Sequence, residues 1–252
     1  MWLALFLLLN MMRLDKYLAD IGISSRKEIR QIIRSGRVYV NDKCEKLADS
    51  KVNPDTDCVK LDGELLQYRK YRYFAMDKPA GVVTASEDRH QRTVLDILPA
   101  ELGHLGLFPV GRLDKETSGL LLLTNDGEFA HQVISPKAEI EKKYYAVTDG
   151  IPDKGDVAAF QNGLILRDGL KCLPAILEVS GENSCFVTVK EGKYHQVRRM
   201  LAAVGKPVLE LRRVSIGCLF VEDLAFINGI CELSQEQLSS VFSGNTQKKG
   251  DQ

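Results

Sequence analysis

Apolar residues recur along this chain with two different periods. Leu14, Tyr17, Leu18 and Ile21 fall at i, i+3, i+4 and i+7, which is one face of a short helix, and Gly22 suits its C-terminal end. The pattern then predicts a second helix: Ser25 and Glu28 have capping-box spacing, Ile29, Ile32 and Ile33 supply a buried stripe, and Gly36 stops it. Val38–Val40 and Val59–Leu61 read as short strands beside turns at Asn41-Asp42 and Asp62-Gly63. Residues 12–62 thus form one small unit, and 63–70 read as a polar linker.

Beyond residue 70 the period of two dominates. Candidate strands fall at 71–76, 120–124, 144–147, 164–166, 175–179, 185–189 and 208–211. Helices are fewer. The clearest covers 195–204, where Val197, Met200, Leu201 and Val204 repeat the helical spacing before Gly205 and Pro207, and another follows Ser234 with Leu238, Val241 and Phe242. Strands without a crossover helix after each one predict an α+β fold with a largely antiparallel mixed sheet over 71–242. Residues 243–252 are polar and read as a disordered tail.

Composition narrows the class. At 252 residues, 44% hydrophobic and 27% charged, the chain excludes disordered, collagenous and multi-pass membrane classes. Residues 2–9 are almost wholly apolar, but a bilayer needs about 20 such residues, and no basic n-region or cleavage site accompanies them. Positions 1–11 are therefore read as a misannotated or disordered extension ahead of Met12. Six scattered cysteines show no C-x-x-C pair, which fits reduced thiols in the cytoplasm. Lys plus Arg and Asp plus Glu are both 34, so any nucleic-acid partner must be argued from local charge.

One local excess stands out in the first unit. Arg26, Lys27, Arg30, Arg34 and Arg37 face Glu28 alone, opposite the isoleucine stripe. A solvated helix face is one account; a phosphate-binding face is the other, and the single sign of the charges favours it. The run Arg13-Leu-Asp-Lys-Tyr-Leu-Ala, then Ser24-Ser25-Arg26-Lys27-Glu28 and Ile33-Arg34-Ser35-Gly36-Arg37-Val38-x-Val40-Asn41 resembles the small RNA-binding domain shared by a ribosomal small-subunit protein, tyrosyl-tRNA synthetases and many RNA-modifying enzymes. That resemblance implies RNA binding and no reaction.

The most unusual segment is the loop between Gly111 and Gly119, which holds Arg112, Asp114, Lys115, Glu116 and Thr117 ahead of four leucines. Such a loop can fix a carboxylate at the edge of a core; alternatively, Asp114 simply satisfies backbone amides in a turn. The stretch Gly111-Arg112-Leu113-Asp114-x-x-Thr117-x-Gly119-Leu120-Leu121-Leu122-Leu123-Thr124-Asn125-Asp126-Gly127 resembles the central motif of bacterial ribosomal RNA pseudouridine synthases, in the branch that carries an N-terminal RNA-binding domain of this kind and includes the small-subunit enzymes. Asp77-Lys78-Pro79-x-Gly81, Glu141-Lys142-Lys143-Tyr144 and Glu191-Gly192-Lys193-Tyr194-His195-Gln196-Val197-Arg198-Arg199-Met200 follow in that family's order.

The resemblance implies isomerisation of a specific uridine to pseudouridine, with no cofactor or metal. Asp114 matches the catalytic aspartate and Tyr144 the active-site tyrosine, with Tyr145 its neighbour and competitor. Arg198 matches the cation facing the aspartate, and Arg199 competes for that place. Arg112 is the candidate to hold or replace a flipped nucleotide. Thr117, Lys193, His195, Gln196 and Arg199, with Arg212 and Arg213 as a further basic region, are candidate substrate contacts, as are Arg13, Arg26, Lys27, Arg30, Arg34 and Arg37. Tyr194-His195-Gln196 is more similar to the 16S than to the 23S enzymes, so the implied partner is 16S rRNA in a small-subunit assembly intermediate, bound by a monomer away from any membrane. Modification of 23S rRNA, a non-catalytic RNA-binding assembly factor, and a glycosidic hydrolase using Asp114 with Glu116 are the other readings.

Overall fold

The computed structural model of the protein describes residues 11–244, so the readings for the apolar N-terminal extension and the polar tail lie almost wholly outside the described residues. The chain divides into two compact units, one of residues 1–72 with 99–107 and the other of 73–98 with 108–252. Residues 99–107 are thus grouped with the first unit although they fall within 71–242 in the sequence.

In the first unit, α1 (Leu14–Asp20) and α2 (Arg26–Arg34) bury their apolar stripes against short strands. Strands β2 (Val38–Val40), β3 (Lys43–Glu45), β5 (Val59–Leu61) and β6 (Glu64–Leu65) form an antiparallel sheet in the order β3-β2-β5-β6, and β1 (Met12–Arg13) pairs with β4 (Lys51–Val52). Leu14, Tyr17, Leu18, Ile29, Ile33, Val38, Val52 and Val59 make the core. The capping box is present: Ser25 Oγ accepts from the Glu28 amide, and the Glu28 carboxylate accepts from the Ser25 amide. Residues 63–70 are no loose linker. β6 pairs with β5, Tyr17 Oη donates to the Leu66 carbonyl at 3.1 Å, and Tyr68 Oη donates to Asp20 at 2.9 Å, so this stretch closes the unit's core.

The second unit is built on a nine-stranded sheet. Its strands are β7 (Tyr73–Lys78), β8 (Phe108–Val110), β9 (Thr117–Thr124), β10 (Lys142–Thr148), β11 (Ile176–Gly181), β12 (Ser184–Val189), β13 (Val208–Ile216), β14 (Leu219–Phe220) and β15 (Ile230–Glu232). The main order is β11-β12-β10-β13-β9-β7-β15, with β8 beside β9 and β14 beside β13. Among the described strands of this sheet, only the β9–β13 pair is parallel. Four consecutive leucines in β9, Leu120 to Leu123, are all at most 1% exposed because this central strand is covered on both faces.

Helices α3 (Gly127–Ile134), α4 (Lys154–Asn162), α5 (Gln196–Ala203) and α6 (Gln235–Val241) cover the sheet's core clusters. Met200 and Leu201 of α5 and Phe160 of α4 pack with Ala146, Val187 and Leu211. The segment at 164–166 is not a strand; only Ile165 bridges Lys171, in the turn that leaves α4.

Candidate active site

The site is a cavity of about 760 Å³ within the second unit, with part of the sheet as its floor. Tyr144 on β10 lies directly across from Arg213 on β13, and Lys142 follows on the same face two residues earlier. All three line the cavity, as do Leu211 and Ile216 of β13. Tyr145 points to the other face, where its ring lies 5.4 Å from that of Phe186. Arg212 also leaves the cavity and pairs with Asp77 at 2.8 Å. The two neighbouring arginines thus part company: Arg213 is 4% exposed in the floor, and its Nε donates to the Leu120 carbonyl at 2.7 Å.

One wall is the loop that carries Asp114. Its hidden support is Lys78, which is fully buried at the end of β7. The Lys78 ammonium donates to the carbonyls of Pro79, Asp114, Lys115 and Thr117 at 2.8–3.3 Å, so three protons are shared by four oxygens. Burial pushes its pKa down to about 8, against the pull of Glu116 and Asp114. Thr84 adds a second brace: its hydroxyl donates to the Leu113 carbonyl at 2.8 Å and accepts from the Leu113 amide at 3.2 Å. Asp114 itself turns its carboxylate to the cavity, with its side chain 31% exposed, and Arg112 and Lys115 stand beside it.

The opposite wall is residues 190–197, ending at the start of α5. Here Glu191 is an internal anchor. It accepts from Gln196 Nε2 at 2.7 Å, from the Leu173 amide at 2.9 Å and from the Lys193 ammonium at 2.8 Å. Burial acts to raise its pKa, but these donors outweigh it and hold the carboxyl below its usual value. Gln196 and Lys193 therefore hold the wall together through Glu191. The path places His195 in the left-handed region at φ 48°, with its Nε2 3.4 Å from Asp114 Oδ1 and its ring stacked on exposed Tyr194 at 3.9 Å.

Neither arginine of α5 pairs with Asp114. Arg198 Nη2 donates to the Glu116 carbonyl at 3.1 Å, two residues along the loop from Asp114, while Arg199 pairs with Asp168 at 2.5 Å. Successive helical residues diverge by about 100°, so the two guanidinium groups leave α5 in different directions. Among the described residues the basic side chain at ion-pair distance from Asp114 is His195. Sequence reasoning missed Lys78 and Lys142 as site residues, although both stand in motifs it singled out.

Two buried polar atoms in the cavity lining have no hydrogen-bond partner, Thr117 Oγ1 and Arg213 Nη2. Lys142 likewise makes no ion pair among the described residues, and burial together with the Arg213 charge lowers its pKa to about 8. A floor that joins a half-buried lysine and a buried arginine beside a tyrosine ring is suited to a polar, planar ligand with carbonyl oxygens.

In the first unit, Arg26, Lys27, Arg30 and Arg34 are all exposed on α2. Arg13 and Arg30 both approach Asp15, at 2.8 and 3.7 Å, and Arg37 pairs with Asp62. Arg26, Lys27 and Arg34 form no ion pair among the described residues, so the outward charge of the helix rests mainly on them.

The fold and site are those of an RNA-modifying enzyme with an appended RNA-binding module. The RNA pseudouridylate synthase family matches residues 72–203, and the S4 domain family matches residues 12–58. The chain is 40% identical to ribosomal small subunit pseudouridine synthase A of Vibrio cholerae, over 92% of this chain and all of that one. It is 37% identical to ribosomal large subunit pseudouridine synthase B of Bacillus subtilis, over 86% of this chain and 87% of the relative. A crystal structure of a pseudouridylate synthase superposes with a TM-score of 0.64 at 31% identity, covering 91% of this chain and 99% of that one. The chain belongs to the RNA pseudouridylate synthase family, as an isomerase that carries an S4 domain.

Proposed function

We propose that this protein converts one uridine of 16S rRNA to pseudouridine, acting as a monomer in the cytoplasm on a small-subunit assembly intermediate. The observation that carries the reading is the placement of Asp114 in the wall of a cavity whose floor presents Tyr144, with the loop carbonyls clamped by Lys78. The reaction breaks the bond between uracil N1 and the ribose anomeric carbon, turns the base, and rejoins it through C5. A carboxylate beside the anomeric carbon can attack the sugar or take a sugar proton, as carboxylates do in glycosyl transfer. Asp114 is that group. Tyr144 stacks on the swung-out uracil and assists proton transfer, and Arg112, exposed beside Asp114, holds the flipped nucleotide or fills the gap it leaves. Arg198 acts through the loop rather than on the carboxylate, because it holds the Glu116 carbonyl.

The hydrolase reading loses its second carboxylate, since Glu116 is exposed and does not line the cavity. The preference for 16S over 23S rRNA is supported by the relative named for the small subunit, which aligns along its whole length, and by the Tyr194-His195-Gln196 segment on the cavity wall. The test uses unmodified 16S and 23S transcripts labelled with tritium at uridine C5, because forming the new bond expels that hydrogen. Release from the 16S transcript alone is expected, with RNA mass otherwise unchanged. Asp114→Asn should bind the transcript like the parent and release none. Equal release by the variant would remove Asp114 from the mechanism, and release from the 23S transcript alone would overturn the substrate assignment.

A further inference from the structure

We propose that Lys142 and Arg213, with the Thr117 hydroxyl, form an oxyanion site that binds the carbonyl oxygens of the flipped uracil and stabilises the negative charge it carries while detached from the sugar. The inference rests on the isomerase reading and assigns that cavity a second catalytic element besides Asp114. When the N1–C1′ bond breaks, its electron pair stays with the base and spreads over N1, O2 and O4. C5 then bonds to C1′, the C5 proton leaves and N1 takes one up, so product and substrate have the same formula and charge. Asp114 meets the electron-poor sugar by bonding to C1′ or removing a sugar proton, and the remaining demand on the protein is to hold the transient anion in a site shielded from water, where preorganised donors act most strongly.

The floor of the cavity meets that demand. Register places Lys142 and Arg213 on the face that carries Tyr144, so a base stacked on the tyrosine lies beside both cations. Arg213 Nη2 and Thr117 Oγ1 are buried without partners and closed to solvent, and a base on the floor that turns them toward its carbonyl oxygens satisfies both. Glu191, the other acid in the lining, is already bonded to Gln196, Lys193 and Leu173. Depth separates this role from phosphate binding. A backbone phosphate keeps its charge and its water throughout, and exposed Arg112, Lys115 and Lys190 around the lining can meet it; Arg213, at 4% exposure, is placed for charge that appears only inside.

The test compares the full-length parent with Lys142→Met, Lys142→Arg and Thr117→Val on the tritium-labelled 16S transcript, with thermal unfolding of each chain. Lys142→Met is expected to lower kcat by about 10²-fold with KM and equilibrium RNA affinity within twofold, a loss typical of one missing oxyanion donor. Lys142→Arg should recover at least tenfold of that loss, and Thr117→Val should cost kcat about tenfold. An unchanged kcat in Lys142→Met would overturn the inference while leaving the isomerase reading intact. A raised KM with a salt dependence of binding reduced by about one ion would assign Lys142 to a phosphate and overturn it equally. If Lys142→Met unfolds, the kcat of Thr117→Val and Lys142→Arg decides, with parental values in both counting against the site. Absence of release by the parent chain itself would overturn the isomerase reading and the inference together.

Discussion

Two lysines, Lys78 fully buried and Lys142 half-buried, show how one residue type takes different roles in one site. Lys78 is surrounded by four carbonyl oxygens and acts as a fixed clamp, whereas Lys142 has only Arg213 as a charged neighbour on the floor. The pKa of Lys142 falls to about 8 through burial first and the Arg213 charge second, against about 10.4 in an unfolded chain. Below pH 8 the ammonium is charged in both states and the cost of burying it is fully present. Between about 8 and about 10.4 the folded chain releases its proton first, so that cost fades as the pH rises. Lys142→Met should therefore gain most stability over the parent at pH 7, and the gain should shrink by pH 9.5. Urea midpoints of both chains at the two pH values check this, and a gap independent of pH would contradict it.

At the scale of elements, the parallel pair β9–β13 is the joint on which the site depends. It carries the Asp114 loop at the start of one strand and Arg213 on the other, and Gly119 lies opposite Arg213 with φ +100°. A Cβ at that position would sit 2.2 Å from the Arg213 carbonyl oxygen, a backbone atom that cannot swing aside. Gly119→Ala should cost about 3 kcal/mol or more, read as a lowered urea midpoint, and should reduce kcat in whatever fraction stays folded because Arg213 must shift. The strands Val38–Val40 and Val59–Leu61 were legible to the residue, because the turns beside them announce themselves: Asn41, Asp42, Asp62 and Gly63 all adopt positive φ. Helices α3 and α4 were not. Asp126 caps α3 ahead of a glycine, and the capping box of α4 uses Asp156 in place of Glu or Gln, so neither start carries the usual pattern. The Asp114 loop could be singled out from its glycines and charges, but its clamp could not, since Lys78 meets carbonyls 36 to 39 residues away. Choosing between Tyr144 and Tyr145 likewise required the β10–β13 register, which one strand's sequence does not contain.

For the whole molecule, 34 basic and 34 acidic side chains cancel, so no long-range field draws the chain toward RNA. Attraction must come from faces where the cations lack internal partners. On α2 these are Arg26, Lys27 and Arg34, whereas Arg13, Arg30 and Arg37 share their charge with Asp15 and Asp62. Exposed ion pairs are weak and screened by salt, yet they compete with phosphate at the same guanidinium. The two groups of residues should therefore separate in a binding experiment. Arg34→Ala is expected to weaken binding to the 16S transcript and to lower the dependence of log affinity on log salt by about one ion, because one phosphate contact is lost. Arg37→Ala should change that slope by less than half as much, since its guanidinium is already neutralised by Asp62. Neither variant lies in the second unit's cavity, so kcat at saturating RNA should stay at the parental value while KM rises for Arg34→Ala. Equal slopes for the two variants would mean that internal pairing does not decide which cations meet the RNA, and an unchanged slope for Arg34→Ala would move the phosphate-binding face off α2.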